Sequence, residues 1–209
     1  MNTLVRGLAV AALSFGLLTA CSGKTGGSAS TADGDMDLGD PKAPVTLVEY
    51  ASATCVHCAR FDKTVFPSLK ARYIDTGKVH YVFREFLTAP EQVAAASFVL
   101  ARCAGKDKYF QVVEAVFRAQ DEMFSTGDTR GPLVRIARSM GMTDEKFQAC
   151  TSDTAALDAL NKRVQHAIDV DKISGTPTFI VNGKTIASGE TTLETLAKAI
   201  DEAAAAAKK

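Results

Sequence analysis

Histidine and cysteine are scarce in these 209 residues, at three and five copies, and tryptophan is absent. The missing tryptophan excludes nothing, but the shortage of metal ligands excludes more. A structural zinc site takes four Cys or His side chains, usually as two closely spaced pairs. Cys55 and Cys58 make one such pair, while His80, His166, Cys103 and Cys150 stand singly and none repeats the spacing. No metal is read; a chaperone holding Cu(I) or zinc between Cys55 and Cys58 stays as an alternative. Neither sign of charge is in excess, with 24 Lys and Arg against 24 Asp and Glu. That balance gives no electrostatic reason to expect a nucleic-acid partner. Beyond the amino-terminal residues no apolar run is long enough to cross a bilayer, and no internal repeat stands out. A hydrophobic fraction of 46% suits an ordinary core, and the length suits one domain or one domain carrying a sizeable insertion.

The first twenty residues read as a signal peptide. Arg6 supplies positive charge, and Gly7 to Leu18 form an apolar stretch too short to span comfortably. The stretch ends in Leu18-Thr19-Ala20-Cys21, which resembles a bacterial lipobox. On that reading Cys21 is lipidated and becomes the new amino terminus. The alternative is an ordinary secretory cut near Ala20, but this needs a small residue where Leu18 stands. Ser22 after the cysteine fits outer-membrane delivery, so the expected address is the periplasmic side of the cell envelope, anchored by lipid. Assigning Cys21 to lipid leaves four cysteines, an even number, in a compartment where disulfides persist.

Residues 21–43 are rich in Gly, Ser, Thr, Ala and Asp and read as a flexible tether, on the order of 25 Å across as a random coil. Val45 to Tyr50 is a β-branched, apolar run that predicts a buried strand. The two cysteines follow, then Phe61, Val65, Leu69 and Tyr73 at helical spacing, with a break expected at Pro67. Val79 to Phe83 predicts a second strand. From 89 to 173 the periodicity is helical throughout, with apolar faces such as Val93, Ala96 and Leu100. Strands return at Thr178 to Val181 and Lys184 to Ile186 around Asn182-Gly183, a strong hairpin signal. A last helix opens at Thr191, where Thr191 and Glu194 have capping-box spacing.

Cys55 follows a strand and opens a helix, a position where backbone N–H groups and the helix dipole favour a thiolate. Cys58, one turn on, can bring its sulfur to that of Cys55. His57 is expected to lend an N–H or a positive charge to the Cys55 sulfur. Pro177, in Gly175-Thr176-Pro177, begins a strand, where a proline is tolerated because no N–H is needed. Cys103 and Cys150 lie in the helical block without close partners in sequence. Export and the even count favour a structural disulfide between them, with two buried free thiols as the alternative. His80 and His166 read as structural or solvent-facing.

Together the Cys55-Val56-His57-Cys58 dithiol, the helical block and Gly175-Thr176-Pro177 resemble the DsbA family of bacterial disulfide oxidoreductases, over about 44–203. The resemblance implies an α/β thioredoxin fold: 44–88 and 174–209 form the thioredoxin-like domain. A helical subdomain, 89–173, is inserted between the strand–helix–strand half and the hairpin–helix half. It implies a cis Pro177 against the active-site sulfurs, with Thr176 offering its backbone to an extended substrate peptide. It implies that Glu49 is a buried acid assisting proton movement at Cys58; the residue-level alternative is a strand-end carboxylate facing solvent. A second disulfide like Cys103–Cys150 occurs in some members. The activity implied is insertion of disulfides into reduced exported polypeptides, without a cofactor, and with reoxidation by a DsbB-like membrane oxidant. Val56 stands where the familiar oxidase has proline, and Thr176 where it has valine. These departures keep an isomerase or reductase as the alternative. Isomerases of this type carry an oligomerising segment, and the tether has no heptad or apolar pattern for one, so a monomer is expected.

Overall fold

The computed structural model describes residues 34–207. The expected leader and the lipidation site at Cys21 lie outside the described residues, as do the first residues of the tether.

Five strands form one sheet in the order β1-β3-β2-β4-β5. These are β1 (Met36–Leu38), β2 (Val45–Ala51), β3 (Val79–Glu85), β4 (Thr178–Val181) and β5 (Lys184–Ser188). The central β2 runs parallel to β3, from Val45 opposite Val79 to Ala51 opposite Glu85, and antiparallel to β4. Every residue of β2 is buried, as its continuous apolar and β-branched run requires of a strand covered on both faces. The hairpin turns at Asn182 and Gly183, both at positive φ, which is the backbone that Asn-Gly favours.

The tether expected through residue 43 is shorter than that. Met36–Leu38 pairs antiparallel with the outer edge of β3, and Met36 is buried. Two apolar residues, Met36 and Leu38, set among Gly and Asp are too short a run to signal a strand, while edge pairing through backbone groups asks little of side chains.

Between the first two long strands lie α1 (Val56–Thr64) and α2 (Phe66–Leu69), followed by a π-helical turn over Lys70–Ile74. Pro67 sits in the first turn of α2, where its missing N–H costs nothing, and the axis breaks before it at Val65. Helices α3 (Glu91–Cys103), α4 (Tyr109–Thr126), α5 (Arg130–Ser139), α6 (Asp144–Thr151) and α7 (Thr154–Asp169) build the helical insertion. The sheet with its crossover thus swollen into helices is the thioredoxin plan that the sequence implies. In α3 Leu100 is fully buried and Val93 and Ala96 are half-buried against the core, as the periodicity implies, and Ala94, Phe98 and Ala101 are buried as well. The buried face of α3 is wider than expected because the helix packs against α4, α6 and α7 at once.

Helix α8 (Leu193–Ala206) covers the sheet with Leu196, Ala197 and Ile200. Its cap is Thr192, which accepts from the Thr195 N–H at 3.2 Å, one residue beyond the expected Thr191. Threonine at both positions left the register open, and the contacts of Leu196 and Ile200 fix it.

The insertion is tied to the sheet by Glu85 at the end of β3, whose side chain is fully buried. Its carboxylate accepts from Arg102 at 2.7 and 2.9 Å, from Arg163 at 2.7 Å and from the Tyr109 hydroxyl at 2.9 Å. A buried carboxylate holding two guanidinium groups is costly to break, so it fixes the insertion relative to the strands. A disulfide between Cys103 at the end of α3 and Cys150 in α6, with Cα atoms 6.0 Å apart, closes the other side. His80 is buried on β3 against Asp37, at 3.1 Å, and His166 is exposed on α7.

Candidate active site

The end of β2 delivers the chain to the start of α1, and Cys55 is the residue at the join. It has extended backbone angles and caps the helix, its sulfur accepting from the Cys58 N–H at 3.4 Å. Orphan N–H groups at a helix start favour an anion at that position. The preceding loop is held rigidly. The Cys55 N–H donates to the Ser52 carbonyl at 3.0 Å, and the Thr54 hydroxyl donates to the Thr88 carbonyl at 2.9 Å. From α4, the buried Gln120 amide donates to the carbonyls of Ala53 at 2.8 Å and Cys55 at 3.3 Å.

The two thiols are free and unequal. A hydrogen bond from the Cys58 thiol is the largest influence on Cys55. With Thr176 and the backbone N–H groups of Cys58 and His57, it outweighs burial and brings the Cys55 thiol down to about 5. Cys58 is fully buried, and burial, its bond to Cys55 and the charge of Glu49 push its thiol well above the ordinary range. One sulfur is therefore a thiolate at neutral pH and its neighbour holds a proton.

Pro177 follows a cis peptide bond from Thr176, and a second cis bond, Ala89–Pro90, stands where the sheet passes into the insertion. The Thr176 carbonyl accepts from the Cys55 thiol at 3.4 Å. Its hydroxyl is buried with no hydrogen-bond partner among the described residues, and it acts as a donor once Cys55 is ionised.

Glu49 points into the protein. It is 2% exposed, and the Tyr81 hydroxyl donates to it at 2.6 Å. Burial, against the opposing Tyr81 bond, pushes its carboxyl up to about 8, with the charges of Asp62 and Cys55 adding to the rise. A cavity of about 570 Å³ between the sheet and the insertion is lined by Glu49, Asp62, Tyr81 and Phe110, among others. Asp62, on α1, is itself pushed up to about 6, chiefly by burial.

His57 supplies an N–H to the Cys55 sulfur, but from its backbone and not from its ring. Its imidazole Nδ1 lies 2.6 Å from Glu190 Oε1. The acid that captures it is 133 residues away and carries no local signal.

The thioredoxin family model matches residues 31–202. The alpha-DsbA1 of Wolbachia pipientis superposes with a TM-score of 0.78 at 31% identity, covering 85% of this chain and 94% of that one. This chain belongs to the DsbA family. A Rickettsia felis protein named as a protein-disulfide oxidoreductase is 35% identical over 172 residues, 82% of this chain and 60% of its own length. A Bacillus anthracis protein named for disulfide bond formation, protein D, is 27% identical over 176 residues, covering 80% of this chain and 77% of its own. The chain thus spans about three fifths of the length of the curated Rickettsia relatives it matches.

Within this DsbA-family site the structure brings together Cys55, Cys58, Thr176, Pro177 and Glu49, whereas Cys103 and Cys150 lie apart in the insertion. Sequence reading missed Gln120, Asp62 and Glu190. For Asp62 the signal was present, one turn after Cys58 beside the buried Phe61. Gln120 and Glu190 had none, because each reaches the site from a distant element. Among the described residues, no group of three or more His, Cys, Asp or Glu is placed to hold a metal ion.

Proposed function

We propose that this DsbA-family chain is a thiol–disulfide oxidoreductase that passes a Cys55–Cys58 disulfide to reduced exported polypeptides. The observation that carries the reading is the inequality of the two thiols. In the oxidised state a substrate thiolate attacks the Cys55 sulfur, the Cys55–Cys58 bond breaks, and Cys58 leaves with an electron pair and takes a proton. A second substrate thiolate then attacks the substrate sulfur of the mixed disulfide. The substrate disulfide forms, and Cys55 leaves as a thiolate. A thiol at about 5 is a good leaving group, and its stability as an anion favours the reduced enzyme, which makes the disulfide oxidising.

In this reading Glu49 receives or supplies the proton of Cys58, which burial keeps away from bulk water. Pro177 and Thr176 shape the wall against which an extended substrate segment lies, and Cys103–Cys150 is structural. Lipid on Cys21 holds the domain to a membrane of the cell envelope, with the outer membrane preferred on account of Ser22. A DsbB-like membrane oxidant restores the disulfide, and the chain works as a monomer. No helix of the described residues is long and apolar enough to cross a membrane.

The test is the reduction potential of Cys55–Cys58 together with a trapping experiment. A potential well above the glutathione couple, and mixed disulfides to exported proteins accumulating on Cys58→Ala, are the expected results. A potential at or below that couple would turn the reading to a reductase or isomerase, to which Val56 and Thr176 point. Failure of Cys58→Ala to trap any partner would count against every redox version.

A further inference from the structure

Glu190 stands two residues beyond β5, in a loop fastened to the cis-proline segment by the Gly189 N–H, which donates to the Pro177 carbonyl at 2.7 Å. From there its carboxylate reaches α1. One oxygen, Oε1, is shared between His57 Nδ1, at 2.6 Å, and the guanidinium of Arg60. His57 and Arg60 are three residues apart and so share a face of the helix that carries the dithiol. The cluster bridges the two segments that enclose the Cys55 sulfur. Its side chains are at least half exposed, so it sits at the mouth of the site rather than in the core.

We propose that Glu190 is a positioning residue that sets the oxidising strength of the Cys55–Cys58 pair by drawing the His57 imidazole onto its own carboxylate. The proposal rests on the reading of that pair as the working dithiol. Reduction by glutathione oxidises two glutathione thiols to one disulfide and places two electrons on the protein sulfurs. One proton stays on Cys58 and the other is released, because Cys55 remains a thiolate. Whatever stabilises that thiolate favours the reduced state and makes the disulfide more oxidising. An unengaged imidazole in the dipeptide between the cysteines is a donor for it. Glu190 occupies that donor and adds a negative charge at the same mouth, so both effects act against the thiolate. Arg60 acts the other way, by competing for the Glu190 oxygen and by adding positive charge. His57 and Arg60 hold the Glu190 carboxyl below the usual carboxylate range, so the contact is with a carboxylate throughout neutral pH.

Exposed ion pairs are weak, so the expected effect is modest. Glu190→Gln should move the equilibrium with glutathione about threefold toward the reduced protein, or ~14 mV for a two-electron couple. It should also lower the Cys55 thiol further, read from thiolate ultraviolet absorbance, and change the ring-nitrogen chemical shifts of His57. Arg60→Gln should move the equilibrium in the opposite direction. In a His57→Ala background the effect of Glu190→Gln should fall below half, leaving only direct charge repulsion. A Glu190→Gln protein with unchanged equilibrium, or an equal effect with and without His57, would overturn the proposal while leaving the functional reading intact. A wild-type chain inert toward glutathione would overturn both.

Discussion

Replacing Glu49 by glutamine removes one buried carboxyl whose ionisation opposes folding. Glu49 titrates near 4.5 when unfolded and is pushed up to about 8 in the reduced fold, mainly by burial. An acid raised in this way contributes stability that is fully present below about pH 4.5. That contribution is lost as pH rises through about 8, because between those values the folded chain holds a proton the unfolded chain has given up. At about 1.4 kcal/mol per pH unit, the interval amounts to about 5 kcal/mol. Glutamine is close in shape to the protonated acid and can still accept from the Tyr81 hydroxyl, but it does not titrate. The stability of Glu49→Gln relative to wild type should therefore climb between pH 4.5 and 8 and level off above. The assay is urea unfolding of both reduced proteins across that range. With a denaturant slope of about 2 kcal/mol/M, the gap between their midpoints should widen by about 2.5 M. Cys55 titrates in the same window with the opposite sign, but it does so in both proteins and its effect cancels to first order. A gap constant to within about 1 kcal/mol from pH 5 to 8 would refute the reasoning, since it would mean that Glu49 ionises as freely folded as unfolded.

Two further outcomes follow from the ties between sheet and insertion. Glu85→Ala strands Arg102 and Arg163 without their carboxylate and should cost about 3–5 kcal/mol in urea unfolding at neutral pH; a loss under 1 kcal/mol would show that the network is not holding the insertion. The Cys103–Cys150 bridge spans a separation of 47 residues, so Cys103→Ala with Cys150→Ala should cost about 4 kcal/mol on the chain-entropy view. That double variant should keep the Cys55–Cys58 potential, and a large change in potential would contradict the separation of the two pairs.

The sequence by itself determined the parts whose physics is local. A β-branched run meeting a helical period placed Cys55 at a strand–helix join. Asn182-Gly183 defined its hairpin, and Pro67 marked the break between α1 and α2. Periodicity also found the helical insertion, although the buried face of α3 widened once three neighbours packed on it. The tertiary structure decided what depends on partners far along the chain. Glu49 could have faced solvent until α1 and the insertion closed over β2 and set it against the Tyr81 hydroxyl. Cys103 and Cys150 became a pair because α3 and α6 pack together. Met36–Leu38 became a strand because β3 offered an open edge. The dithiol was legible from four residues. Its electrostatic setting was legible only in part, because Gln120 and Glu190 reach it from 65 and 133 residues away, and no local pattern encodes contacts at such separations.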